Sequence, residues 1–141
     1  MADQSGLGAD RIKHLEFIQA VIARLGTSSF LVKGWGVTIA AAFFAVLAKN
    51  LDGAVAAVGL IPLLAFWFLD SYFLWQERLF RRLYDDARQP STGVDVLSMN
   101  VAGYRAQTTW ASAAFSQTLL LFYGVLVVVD VAFIVAAVAA R

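Results

Sequence analysis

Lys33, Asp70 and Asp130 are the residues through which this chain can do membrane chemistry, because each stands in or beside an apolar run. An ionisable group at bilayer depth costs several kcal/mol unless it is paired or hydrated. Lys33 lies 18 residues before Leu51 and Asp70 lies 19 after it. A tight turn at Leu51 therefore brings both to one depth on neighbouring antiparallel helices, where they can form a structural ion pair. The competing reading is that Lys33 snorkels while Asp70 faces water. Asp130 has no such partner. In a helix starting near Gln117 it lies about 20 Å along the axis, near the bilayer centre, with no Lys or Arg at that depth. Three readings are open: lining a pore around an oligomer axis, which leads; packing as a neutral acid against another helix; and a shifted register that puts it at the outer surface.

A second group of residues follows the apolar half of the chain. Arg78, Arg81, Arg82, Arg88 and Arg105 stand near Tyr84, Asn100 and Tyr104. Guanidinium groups beside aromatic rings suit a phosphorylated signal or a protein partner. The same residues are also the ordinary outcome of an inward-facing positive bias with anionic lipid contact. Little else offers reactivity. The single histidine, His14, is read on a surface helix, there is no cysteine, and Ser28 and Ser98 have no base in sight. No catalysis, metal site or cofactor is expected. Gly34-Trp35-Gly36 lacks the glycine spacing, Lys and Ser/Thr of a phosphate loop.

The elements that must position these residues are helices. Of 141 residues 60% are hydrophobic and only 15% charged, with a mean hydropathy of +0.71, whereas soluble domains carry roughly 25% charge. An all-α integral membrane protein follows, with the bilayer as its first partner and, at a net charge of +1, no case for nucleic acid. Residues 1–29 are expected to be a mobile cytoplasmic tail and an amphipathic helix. Asp10 is read as its N-cap and Gly26 as its stop, and Leu15, Ile18 and Ile22 mark its apolar stripe. That stripe suits the inner leaflet or the stem, or else a coiled-coil seam. Residues 30–74 are a tight transmembrane hairpin turning at Lys49 to Gly53. Residues 75–116 continue the second span as a long stem, then a loop broken at Pro90, then an interfacial helix from Tyr104. Residues 117–141 are the third span. The N-terminus lacks the basic n-region of a signal peptide, so the chain is expected to be uncleaved.

Certain segments are familiar. His14-Leu15-Glu16-Phe17-Ile18-Gln19, Lys33-Gly34-Trp35, Gln76-Glu77-Arg78-Leu79-Phe80-Arg81, Ser98-Met99-Asn100, and Phe115-Ser116 followed by Phe122-Tyr123-Gly124 resemble those of a set of small bacterial membrane proteins. More loosely, a cytoplasmic helix, a tight hairpin and a long stem resemble the SLATT class of bacterial conflict effectors, from whose two-span pattern the third span departs. This resemblance implies a homo-oligomer that permeabilises the bacterial inner membrane in anti-phage defence when a cytoplasmic nucleotide signal or signalling protein acts on it. A non-conducting anchor for a soluble enzyme is the alternative, and a proton-coupled carrier comes third. The positive-inside rule orients the chain: Lys and Arg flank the outer ends of the hairpin, and its turn holds only Lys49. The N-terminus is therefore predicted inside and Arg141 outside. A reporter active only in the cytoplasm should stay silent when fused after Arg141 and be active when fused before Met1.

Overall fold

A computed structural model describes residues 8–89 and 91–140. Three of its helices are long and apolar enough to cross a membrane: α1 (Ala9–Lys49), α2 (Gly53–Ala87) and α4 (Gln117–Ala139), with a short α3 (Trp110–Ala114) before the last. No strand occurs among the described residues. At 1.5 Å per residue α1 and α2 run about 60 and 50 Å, well beyond a hydrocarbon core of about 30 Å. Both therefore project from the same side as a two-helix stem, opposite the turn that joins them.

That turn is three residues, Asn50 to Asp52, and it is short because α2 is capped at once. The Asp52 carboxylate accepts from the backbone N–H of Ala54 at 2.7 Å and of Val55 at 3.4 Å, satisfying donors that the first turn of a helix leaves free. Pro62 sits inside α2 without ending it. The helix packs along α1 on one side and α4 on another, while α1 and α4 touch lightly. Phe44 and Phe133 stack across that lighter contact at 5.6 Å. Outward, Phe30, Trp35, Ile61, Phe68, Leu121 and Val128 form an exposed apolar belt.

The expected break between an amphipathic helix and the first span is absent. Gly26 does not stop α1, Asp10 lies in its first turn, and the N-cap is Gly8. The reason is local: Thr27 and Ser28, which could have capped a new helix, turn their hydroxyls back to the carbonyls of Ala23 and Arg24, each at 3.0 Å. Their polar groups are satisfied inside a continuing helix. The tail expected over Met1 to Ala9 lies outside the described residues except for Gly8, the N-cap, and Ala9, the first residue of α1. So does Arg141.

The amphipathic half of α1 covers its own chain's stem. Ile18, Leu83 and Ala87 are buried together, with Leu15, Ile22, Phe80 and Tyr84 against them and Val94, Val101 and Tyr104 closing the cluster from the loop. Arg11 donates from Nε to the Ala87 carbonyl at 2.8 Å and from Nη2 to that of Gln89 at 2.5 Å. A cation thus answers the free carbonyls and the negative end of α2.

The loop is ordered by the stem. His14, expected at a surface, is 1% exposed, and its Nε2–H donates to the Ser98 carbonyl at 2.8 Å. Leu97 takes a left-handed backbone, φ 67°, at a cost of about 1–2 kcal/mol for a residue with a Cβ. That turn presents the Ser98 carbonyl to the ring. No helix runs from Tyr104 onward; a single 3-10 turn at Ala102–Tyr104 is followed by irregular chain to α3. Donors on α2 hold this stretch instead: Trp67 Nε1 to the Ala114 carbonyl at 3.1 Å, Trp75 Nε1 to that of Thr108 at 2.6 Å and Arg78 to that of Ser112 at 2.9 Å.

Leu83 is 1% exposed at the centre of the stem cluster. Leu83→Ala should destabilise the detergent-solubilised protein by about 2–5 kcal/mol, read as a fall in unfolding temperature, whereas Leu121→Ala on the outer belt should leave it nearly unchanged.

Candidate functional site

Antiparallel packing around the Asn50 turn brings Lys33 and Asp70 together. Lys33 Nζ lies 2.6 Å from Asp70 Oδ2, with the lysine side chain 25% exposed and the aspartate fully buried. Both sit about 25 Å from the turn, just inside the stem-side edge of a bilayer core. Ser29, one turn before Lys33, donates its hydroxyl to Asp70 Oδ1 and accepts from Lys33 Nζ at 2.8 Å. The Tyr123 side chain of α4 lies beside the same carboxyl. Three helices thus converge on one buried charge, and Ser29 and Tyr123 are members that charge counting does not reveal.

Asp130 is placed differently from the leading expectation. It does not face outward to an oligomer axis; it is fully buried within its own chain. Its carboxyl rests against Gly59 of α2, so close that a Cβ at Gly59 would stand 3.1 Å from Oδ1 and 3.4 Å from the Phe43 ring. Neither carboxyl oxygen has a hydrogen-bond partner among the described residues. Because α4 starts at Gln117 as expected, Asp130 lies about 20 Å along its axis. The direction was unreadable because α4 is apolar all round and has no polar face to orient it. Gly59 is the residue that admits the acid, and an isolated glycine in an apolar helix carries no signal of that role.

The arginine group divides between two flanks of the stem. Arg78, Arg81 and Arg82 line one groove of about 460 Å³ with Gln107 and Ser112. Tyr104 joins Arg82 in an adjoining recess of about 130 Å³, where its hydroxyl donates to Asp86 Oδ2 at 2.8 Å. Burial, and then that hydrogen bond and the Asp86 charge, push the phenol from 10.0 up to about 12, so it remains a donor at neutral pH. Arg105 stacks over Trp75 at 5.6 Å. On the opposite flank Tyr84, Arg81, Gln19 and Ile22 border an open groove of about 500 Å³ between α1 and α2, and Gln19 donates to the Tyr84 hydroxyl at 3.3 Å.

Two members of the group stand apart. Arg88 meets Asp85 at 3.4 Å on the exposed end of the stem. The side chain of Asn100 accepts from the N–H of Ala102 at 2.9 Å and shapes the loop. Glu77 and Arg81, one turn apart on α2, pair at 2.6 Å. Arg82 donates to the amide oxygen of Gln107 at 3.3 Å, and the neighbouring Asp86 accepts from Tyr104. Among the described residues no cluster of His, Cys, Asp or Glu has the geometry to hold a metal ion. Comparison with protein-family models, curated proteins and solved structures finds no match.

The ion pair can be tested as a coupling. Lys33→Met or Asp70→Leu alone should each cost about 3–5 kcal/mol, because each leaves the other charge uncompensated in a low dielectric, and the double variant should cost less than either. Thermal unfolding of all four proteins in one detergent measures this. Additive losses would show that the two residues act independently.

Proposed function

We propose that this protein is a homo-oligomeric effector of bacterial defence that permeabilises the inner membrane when a cytoplasmic signal or partner acts on its stem, and that the fold described above is its closed state. The observation that carries the reading is Asp130, an acid without a hydrogen-bond partner among the described residues, near the middle of α4. A group so costly at bilayer depth marks a functional position. Sealed against Gly59 it conducts nothing. Exposed by a rotation or withdrawal of α4, copies from several subunits would be hydrated together and draw cations.

Self-association has a surface to use. Gly34, Thr38, Ala41 and Ala45 fall on one exposed face of α1, and small residues at such spacing let two helices approach closely in lipid. The light contact between α4 and α1 leaves α4 tied mainly to α2, which suits it to be the moving part. The long stem equally supports a second reading, a non-conducting anchor, since its α1–α2 groove at Tyr84 offers a soluble partner mixed polar and apolar footing.

Reconstituted bilayers separate the two. Under conditions that give toxicity in cells, the wild-type protein should carry cation-selective current, Asp130→Asn should assemble normally with altered selectivity, and Asp130→Leu should lose most of the current. Toxicity without any current would reject the permeabilising reading in favour of the anchor.

A further inference from the structure

Two of the four arginines of α2 and its C-cap have no countercharge among the described residues. Arg81 is neutralised by Glu77 at 2.6 Å, and Arg88 lies beside Asp85. Arg78 and Arg82, one turn apart on α2, meet only neutral acceptors among the described residues, the Ser112 carbonyl at 2.9 Å and the Gln107 amide oxygen at 3.3 Å. Arg78 is partly buried and Arg82 exposed, and both open on the same groove of about 460 Å³. Each single contact leaves most of a five-donor fork unused.

The groove is also built rather than incidental. Its far wall is fixed by the Trp75 bond to Thr108 at 2.6 Å and by Arg105 over the Trp75 ring at 5.6 Å. The wall facing the donors is therefore in place before anything binds, and Arg78 is held by its bond to Ser112, which reduces the ordering cost of binding. Asp85 borders the groove, and Asp86 lies in the recess beyond Arg82. Their charges repel an anion from that end and confine it to the end near Arg78. Ser112 stands only five residues before the first residue of α4, so this end lies beside the start of a span, level with lipid headgroups and open to solutes.

We propose that the groove between α2 and the segment at Gln107 to Ser112 is a binding site for a phosphate group, gripped by Arg78 and Arg82. A planar guanidinium fork matches two phosphate oxygens, which a point charge does not. The phosphate belongs either to an anionic lipid headgroup or to a soluble phosphorylated molecule. The site deepens the stem-signal part of the proposed function, but binding and current are measured separately, so that either can fail alone.

The test uses the full chain in nanodiscs. In one arm, discs of phosphatidylcholine are titrated with pyrophosphate by calorimetry. In the other, discs containing phosphatidylglycerol are analysed by native mass spectrometry for retained lipid. Saturable binding in the first arm assigns a soluble ligand, and selective retention in the second assigns the headgroup. In whichever arm binds, Arg82→Gln should weaken binding by about tenfold or more, as loss of a charge-assisted bond implies, and Arg78→Gln should act likewise. Arg24→Gln, an equal change of charge on the exposed face of α1, should leave it unchanged, and Arg82→Lys should restore it only in part. Because Arg82 is exposed and hydrogen-bonds only to Gln107 among the described residues, its replacement tests the site even if the Arg78 variant fails to fold. Binding in neither arm, or an equal loss with Arg24→Gln, would overturn the proposal. Binding without current would count against permeabilisation alone.

Discussion

A carboxylate removed from water must find compensating charge or donors within the protein, and Asp70 imposes that requirement on the whole stem-side half of the bundle. Its two partners, Lys33 and Ser29, stand one turn apart on α1, and the Tyr123 side chain of α4 packs beside it. To satisfy one buried group, α1 and α2 must keep their register around the Asn50 turn, and α4 must enter at the right height. A slip of one residue on α1 would rotate Lys33 by about 100° away from the acid. The pair thereby acts as a register pin, a role best attested for buried polar groups, whatever its net contribution to stability.

Around that pin the two ends of the molecule are held by different physics. On the stem side there is water, and ordinary hydrophobic burial operates: Ile18, Leu83 and Ala87 are sealed by apolar neighbours, and the loop is tied down by His14 and Tyr104. Within the spans lipid is as apolar as the side chains, so close packing and polar contacts must do the work. Gly59 shows the consequence. Its missing side chain makes the room in which the Asp130 carboxyl lies, so that one of the most costly groups in the chain is accommodated by the smallest residue opposite it.

The two carboxyls are answered unequally. Asp70 has a cation and a hydroxyl; Asp130 has a space and no donor among the described residues. A structure that needed only stability would place a leucine there. An unanswered acid at that depth is costly, and the proposed function rests on that cost.

The class, the helices that can span, the tight turn and the matched positions of Lys33 and Asp70 on either side of it are all legible in the amino-acid sequence. Each of these is a matter of counting along one dimension, in hydropathy, in residues per ångström, or in distance from a turn. It did not determine which way anything faces. For Asp130 three directions stay open in the sequence, and the one found, packing against another helix, is not the leading one, because an all-apolar helix carries no periodic mark of its buried side. Gly26 read as a stop, yet α1 continues, because Thr27 and Ser28 return their hydroxyls to its own carbonyls. His14 read as exposed, yet it is buried by a loop more than eighty residues away in the chain. Only tertiary structure decided these, because each depends on a partner that arrives from a distant part of the chain or on a local hydrogen bond that competes with an equally plausible cap.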